Sequence, residues 1–179
     1  VIYKILQKKY LYFLKKKFIR SKFIKENKNK LKNKFFGLNQ AINISTGKYI
    51  MLLHSDDVIV NKNLIMKINK LSKIDLDFIT TGVKIVNNED KILRKWIFTQ
   101  NNDNFGFSDI PPHTGFIYKK KLHKIYGLYS LNYPICADFD FMLKFFSNKN
   151  KKIKFKIIDG YSISMSFGGD STKLKNLLR

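Results

Sequence analysis

Apolar positions along the chain change period several times, and the changes mark its elements. Near the start, Ile2, Ile5, Leu6, Tyr10, Phe13 and Leu14 recur at i, i+3, i+4 spacing, with Lys8, Lys9 and Lys15 to Lys17 mostly on other faces. That period predicts a basic amphipathic helix. Neither Gly nor Pro interrupts residues 1–34, which therefore read as a segment distinct from the domain at 35–179. From Phe35 the texture becomes an alternating α/β domain, short apolar strands followed by turn residues and helical periods. Lys48 to His54 (KYIMLLH) is a compact apolar run ending in Ser55-Asp56-Asp57, and reads as a buried strand with polar groups at its tip. Leu64, Ile65, Ile68 and Leu71 place a helix over roughly Lys62 to Ser72.

Further strands are expected at Phe78 to Val86 and Ile92 to Phe98, with Asn87-Asn88-Glu89-Asp90 turning between them. Thr99 to Ser108 is polar and holds a Gly, a loop near the active face, and Pro111-Pro112 excludes regular helix. Helices follow at Lys119 to Tyr126 and Ala137 to Asn148, then strands near Ile153 to Ile158 and Tyr161 to Ser166. Gly168-Gly169 breaks the chain before a short basic tail.

Composition narrows the function classes. A chain of 179 residues with 44% hydrophobic and 15% aromatic content can bury a full core. The single cysteine, Cys136, forms no internal disulfide and sits in no Cys/His cluster, which favours a reducing, cytoplasmic setting and no structural zinc. The formal charge of +22 invites a polyanionic partner, but the basic residues are Lys except for Arg20, Arg94 and Arg179. Nucleic-acid readers lean on the bidentate fork of Arg, so no specific nucleic-acid partner is expected. A basic apolar-striped helix is compatible with peripheral contact at an anionic membrane, while no apolar run reaches the ~18 residues of a spanning helix.

Three clusters could carry chemistry. Asp56 and Asp57 close a buried strand, where open α/β sheets bind ligands, and paired carboxylates there invite a hard cation such as Mg²⁺ or Mn²⁺. A turn or helix N-cap is the plainer reading of the same residues. Asp138 opens a helix whose partial positive end favours a carboxylate, which suits a general base as well as a cap. His113, between Pro112 and Thr114-Gly115, reads either as a structural histidine or as a donor to phosphate or sugar hydroxyl. His54 is ambiguous, and His123 falls in a Lys-rich segment expected at the surface. Gly168-Gly169-Asp170-Ser171-Thr172 is either a helix approach or a closure over diphosphate. The sequence contains no P-loop, H-E-x-x-H or G-x-S-x-G motif.

Taken in order, the blocks Gly37 to Asp57, His113 to Leu143 and Gly168-Gly169-Asp170-Ser171 resemble family 2 glycosyltransferases of the GT-A fold, particularly bacterial enzymes of surface-polysaccharide synthesis. The family often has Gly where Ala41 stands, and its first acidic position is Ser55 here. The resemblance implies a Rossmann-like α/β domain in which Asp57 ligates Mn²⁺ or Mg²⁺ and Asp138 is the catalytic base. Asp56, Asn39, His113 and Gly169 would line the donor. It implies an inverting hexosyltransferase moving sugar from a nucleotide-sugar, a UDP-sugar by preference, to a glycan or lipid-linked acceptor. A catalytically inactive relative is the alternative, and a basic nucleic-acid module a more distant one. The family's first nucleotide-binding strands have no legible counterpart, so the resemblance describes an N-terminally incomplete domain, cytoplasmic or peripheral at the inner membrane face.

Overall fold

Among the described residues, seven strands form one mixed sheet. The computed structural model describes residues 2–3, 33–54, 56–99, 110–148 and 152–168. Across the sheet lie β1 (Ile2–Tyr3), β2 (Tyr49–Leu52), β6 (Phe116–Lys119), β4 (Phe78–Val86), β7 (Phe155–Ser166) and β3 (Val58–Ile59), with β5 (Ile92–Trp96) paired to β4. Pairings β1–β2 and β4–β7 are parallel, and the others antiparallel. Helices α1 (Lys34–Ile44), α2 (Leu64–Leu71), α3 (Leu122–Tyr126) and α4 (Ala137–Phe146) complete the described elements.

Successive residues of a strand face opposite sides, and here each side meets its own core. Ile50 and Leu52 of β2, Phe116 and Tyr118 of β6, and Phe78 of β4 pack with α1 and α4 through Phe35, Leu38, Phe141 and Phe145. Their neighbours Tyr49, Met51, Ile117 and Ile79 pack on the other face, against Leu64 and Ile68 of α2. Burial on both faces explains why β2 reads as a continuous apolar run rather than an alternation. Each fully buried Phe or Leu contributes roughly 2–3 kcal/mol. Phe78 is the hub of the first core, stacked on Phe155 at 5.1 Å and edge-on to Phe98.

Helix α1 is fixed at both ends. The Asn33 side chain accepts from the Phe35 amide at 2.9 Å, an N-cap worth ~1 kcal/mol. At the other end Lys120 Nζ reaches the carbonyls of Asn43 and Ser45, a cation placed on the negative end of the dipole.

The predicted strands at β2, β4 and β5 and the helices at α2 and α4 stand, within a few residues at their ends. Three readings are corrected, and one short strand was not foreseen. Ile2 and Tyr3 are not helical; they pair with Met51 and Leu52, satisfying backbone groups on the open edge of β2. The rest of the predicted N-terminal helix lies outside the described residues. Phe116–Lys119 is a strand, and the helix after it begins only at Leu122. Lys119 tolerates that central position because its ammonium lies 2.7 Å from Asp75 and 3.8 Å from Asp77. The two short strands expected beyond Ile153 are one long β7, kinked where its register against β4 shifts after Thr81 and where Gly160 adopts φ 78. The two-residue β3 was too short to leave a pattern. Among the described residues no helix is long and apolar enough to cross a membrane.

Candidate active site

The chain leaves the sheet at the end of β2 and folds back at once. Asp57 Oδ2 accepts the His54 amide at 2.8 Å, and the Asp57 amide donates to the His54 carbonyl at 3.2 Å. This closure leaves Asp57 only 1% exposed, with Oδ1 buried and without a hydrogen-bond partner. Burial pushes its carboxyl above the ordinary range; the His54 amide and ring oppose that, the Asp56 charge adds to it, and the Thr114 hydroxyl eases it. Asp56 is exposed, its carbonyl accepting from Ser166 at 3.4 Å. Ser55 lies outside the described residues.

A short 3-10 turn, His113–Gly115, leads into β6 beside this tip. Pro111 and Pro112 are buried and set its approach, and Gly115 lets it press on β4. A Cβ on Gly115 would run into the Thr81 carbonyl and lie 3.2 Å from both Pro112 Cγ and Val83 Cγ2. In this turn the Thr114 hydroxyl donates to Met165 Sδ at 3.9 Å, near enough to Asp57 to ease its charge, while its neighbour His113 faces Asp138.

Asp138 is the second residue of α4, and its Oδ1 accepts the Phe139 amide at 2.9 Å. It is therefore not the N-cap, a position held by Cys136 without any side-chain bond. Asp138 Oδ2 lies 3.4 Å from His113 Nδ1, the carboxylate 24% and the ring 10% exposed. Burial lowers the His113 pKa to about 4, although Asp138 pulls it upward.

Behind His113 runs a buried polar chain that sequence reasoning missed. His113 Nε2 is 3.1 Å from the Tyr129 hydroxyl, which is 2.8 Å from the Tyr118 hydroxyl. Tyr118 in turn meets His123 Nε2 at 2.9 Å, and His123 Nδ1 meets the Gly127 carbonyl at 2.9 Å. His123, expected at the surface, is buried and stacked on Phe141 at 4.4 Å between ring centroids. Its Lys neighbours concealed it, since the short α3 turns Leu122 and His123 inward together.

The remaining expected donor residues separate. Asn39 spends its carboxamide on the Tyr129 backbone, donating to the carbonyl at 2.8 Å and accepting from the amide at 3.0 Å. Gly169 lies outside the described residues. For a cation, the oxygens at hand are those of Asp57 and Asp56; among the described residues no three His, Cys, Asp or Glu gather as a metal-holding group. The orphaned Asp57 Oδ1 fits a hard cation that draws its other ligands from substrate phosphate. A separate cavity of about 710 Å³, lined by Lys48, Lys120 and Lys124 among others, contains none of the candidate residues.

No protein-family model and no curated protein matches the chain. Solved structures do. TarS of S. aureus, residues 1-349, is similar with a TM-score of 0.55 at 15% identity, over 75% of this chain and 40% of its own. The chain has a GT-A, Rossmann-like fold. TarS 1-349 in complex with UDP gives a TM-score of 0.51 at 14% identity, over 73% of this chain and 39% of its own. A longer TarS structure gives 0.52 at 15% identity, over 72% and 23%. This GT-A domain thus spans about two fifths of TarS 1-349, the 40% coverage given above. Its two aspartates flank one turn beside the carboxyl end of β2, where open α/β sheets take their ligands.

Proposed function

We propose that the chain is an inverting, metal-dependent glycosyltransferase of the family 2 type, using a nucleotide-sugar donor, a UDP-sugar by preference. Its acceptor would be a glycan or lipid-linked sugar in cell-surface polysaccharide synthesis, met at the cytoplasmic face of an anionic membrane that the basic surface favours. One observation carries the reading. Asp57 and Asp138, far apart in the chain, are both linked to the turn His113–Gly115, Asp57 through the easing effect of the Thr114 hydroxyl and Asp138 through His113 Nδ1 at 3.4 Å. The UDP complex of the similar TarS fold supports the donor class.

The division of labour follows from environment. Asp138, partly exposed at a helix start, takes the proton of the acceptor hydroxyl. The acceptor oxygen bonds to the anomeric carbon from the face opposite the diphosphate. The bond from that carbon to the diphosphate oxygen breaks with its electron pair, and nucleoside diphosphate leaves. Asp57 would hold Mn²⁺ or Mg²⁺, whose Lewis acidity offsets the diphosphate charge, and Asp56 would contact the donor.

The test is release of nucleoside diphosphate by the purified chain, screened across nucleotide-sugars with Mn²⁺ and Mg²⁺. Asp57→Ala and Asp138→Asn should each cut turnover at least about a hundredfold while circular dichroism stays unchanged. Full activity in either variant sinks the assignment.

A further inference from the structure

The buried chain behind His113 has a direction, and its far end sets it. A carbonyl only accepts, so His123 Nδ1 must carry the hydrogen that meets Gly127 at 2.9 Å. Burial holds His123 neutral by lowering its pKa, and a neutral imidazole has one N–H, so its Nε2 is an acceptor. Tyr118 then donates to Nε2 and has only its lone pairs left for Tyr129. Tyr129 donates to Tyr118, and its oxygen accepts from His113 Nε2–H. A neutral His113 protonated on Nε2 is bare on Nδ1. That atom is buried, has no hydrogen-bond partner and faces Asp138 Oδ2 at 3.4 Å.

We propose that the Tyr129–Tyr118–His123 chain locks His113 in its Nε2–H tautomer, making His113 a positioning residue whose bare Nδ1 stands ready to accept a hydrogen bond from Asp138 once that carboxylate has taken a proton. A bare imidazole nitrogen can accept from a protonated carboxyl, which the opposite tautomer, already carrying a hydrogen there, could not do. In the transfer step the acceptor O–H breaks, the proton passes to Asp138 Oδ2, and the new O–H donates to His113 Nδ1. No proton leaves the pair until product departs. The other charged or titratable groups toward His113 are His54 at the tip of β2, rings 6.0 Å apart, and Lys34 of α1, both of which disfavour a charged imidazole. The second half of this proposal rests on the transferase reading; the tautomer lock does not.

The experiment is a long-range ¹⁵N–¹H correlation spectrum of the full ¹⁵N-labelled chain at neutral pH, with its three histidines assigned by replacing each with Asn. His113 should show a protonated Nε2 and a bare Nδ1, and His123 the reverse. Either residue found in the other tautomer overturns the proposal, and this needs no variant of the tyrosines. In Tyr129→Phe, His113 loses its acceptor and should become a mixture; a tautomer still fixed there overturns the role of the chain. With turnover in hand, Tyr129→Phe should lower kcat about tenfold and leave KM unchanged. An unchanged kcat, or a rise in KM alone, overturns the effect on Asp138. Absence of any turnover in the wild type counts against the transferase reading, while the spectra alone decide the tautomers.

Discussion

Asn39 and Tyr129 are joined by two opposed hydrogen bonds, the carboxamide of one donating to and accepting from the backbone of the other at 2.8 and 3.0 Å. The pair ties α1 to the segment that presents the Tyr129 hydroxyl to His113. Asn39→Ala leaves a buried amide and carbonyl unmet and should cost ~1–3 kcal/mol in urea unfolding. Asn43→Ala, an exposed position on the same helix, should cost less than ~0.5 kcal/mol. Equal losses would show that the effect belongs to helix α1 as a whole.

That pairing also marks where sequence reading reaches its limit. The elements with strong periods were legible, because β2 and β4 bury both faces and α4 carries Phe141, Met142, Phe145 and Phe146 on its packed side. Asp57 and Asp138 stood out through the sequence blocks that resemble family 2 glycosyltransferases, since a turn or cap is a plain role for either residue alone. Asn39, Tyr129, Tyr118 and His123 did not, since their importance lies in what they touch across long separations. A Lys-rich neighbourhood disguised His123, and the same texture made β6 look helical at Lys119. Nothing local in the sequence announces that Asp75 and Asp77 lie in wait for that ammonium.

His113 gives stability a pH dependence of definite sign. Its pKa falls from 6.5 to about 4 on folding because burial penalises the charged ring. The unfolded chain therefore binds more protons across that window, and stability is lost as pH drops below about 6.5, levelling near 4. The full loss from this residue is ~3 kcal/mol. His123 acts in the same direction, whereas Asp57, pushed up by burial, acts in the opposite one. Urea midpoints measured from pH 7 to 4 should fall more steeply for the wild type than for His113→Gln. Parallel curves would mean that His113 is protonated without penalty.

Gly115→Ala probes the turn that sets both aspartates. The new methyl meets the Thr81 carbonyl, backbone in the central strand that cannot step aside, so the turn must move. Overpacking of this kind costs ~1–3 kcal/mol, and any turnover should fall with it because Thr114 and His113 shift together. Gly160→Ala is the contrast. That position has a positive φ of 78 but open space for a Cβ, so it should cost ~1 kcal/mol of stability. Comparable losses of turnover in the two variants, at matched folded fraction, would remove Gly115 from the site.

Asp57→Asn separates stability from function. A carboxyl whose folded pKa is raised is a net cost to the native state at neutral pH, present above that raised value and absent once the group is protonated. Asn keeps an oxygen for the His54 amide and removes the charge, so thermal stability at pH 7 should rise, by several degrees for ~1 kcal/mol. On the proposed function, in which that charge serves the cation, the same change should also cut turnover at least about a hundredfold, as for Asp57→Ala. Lowering the pH should erase the stability difference, since the wild-type carboxyl then becomes neutral as well. A variant that is less stable than the wild type at pH 7 would show that the carboxylate is held by favourable contacts, and that its burial is structural.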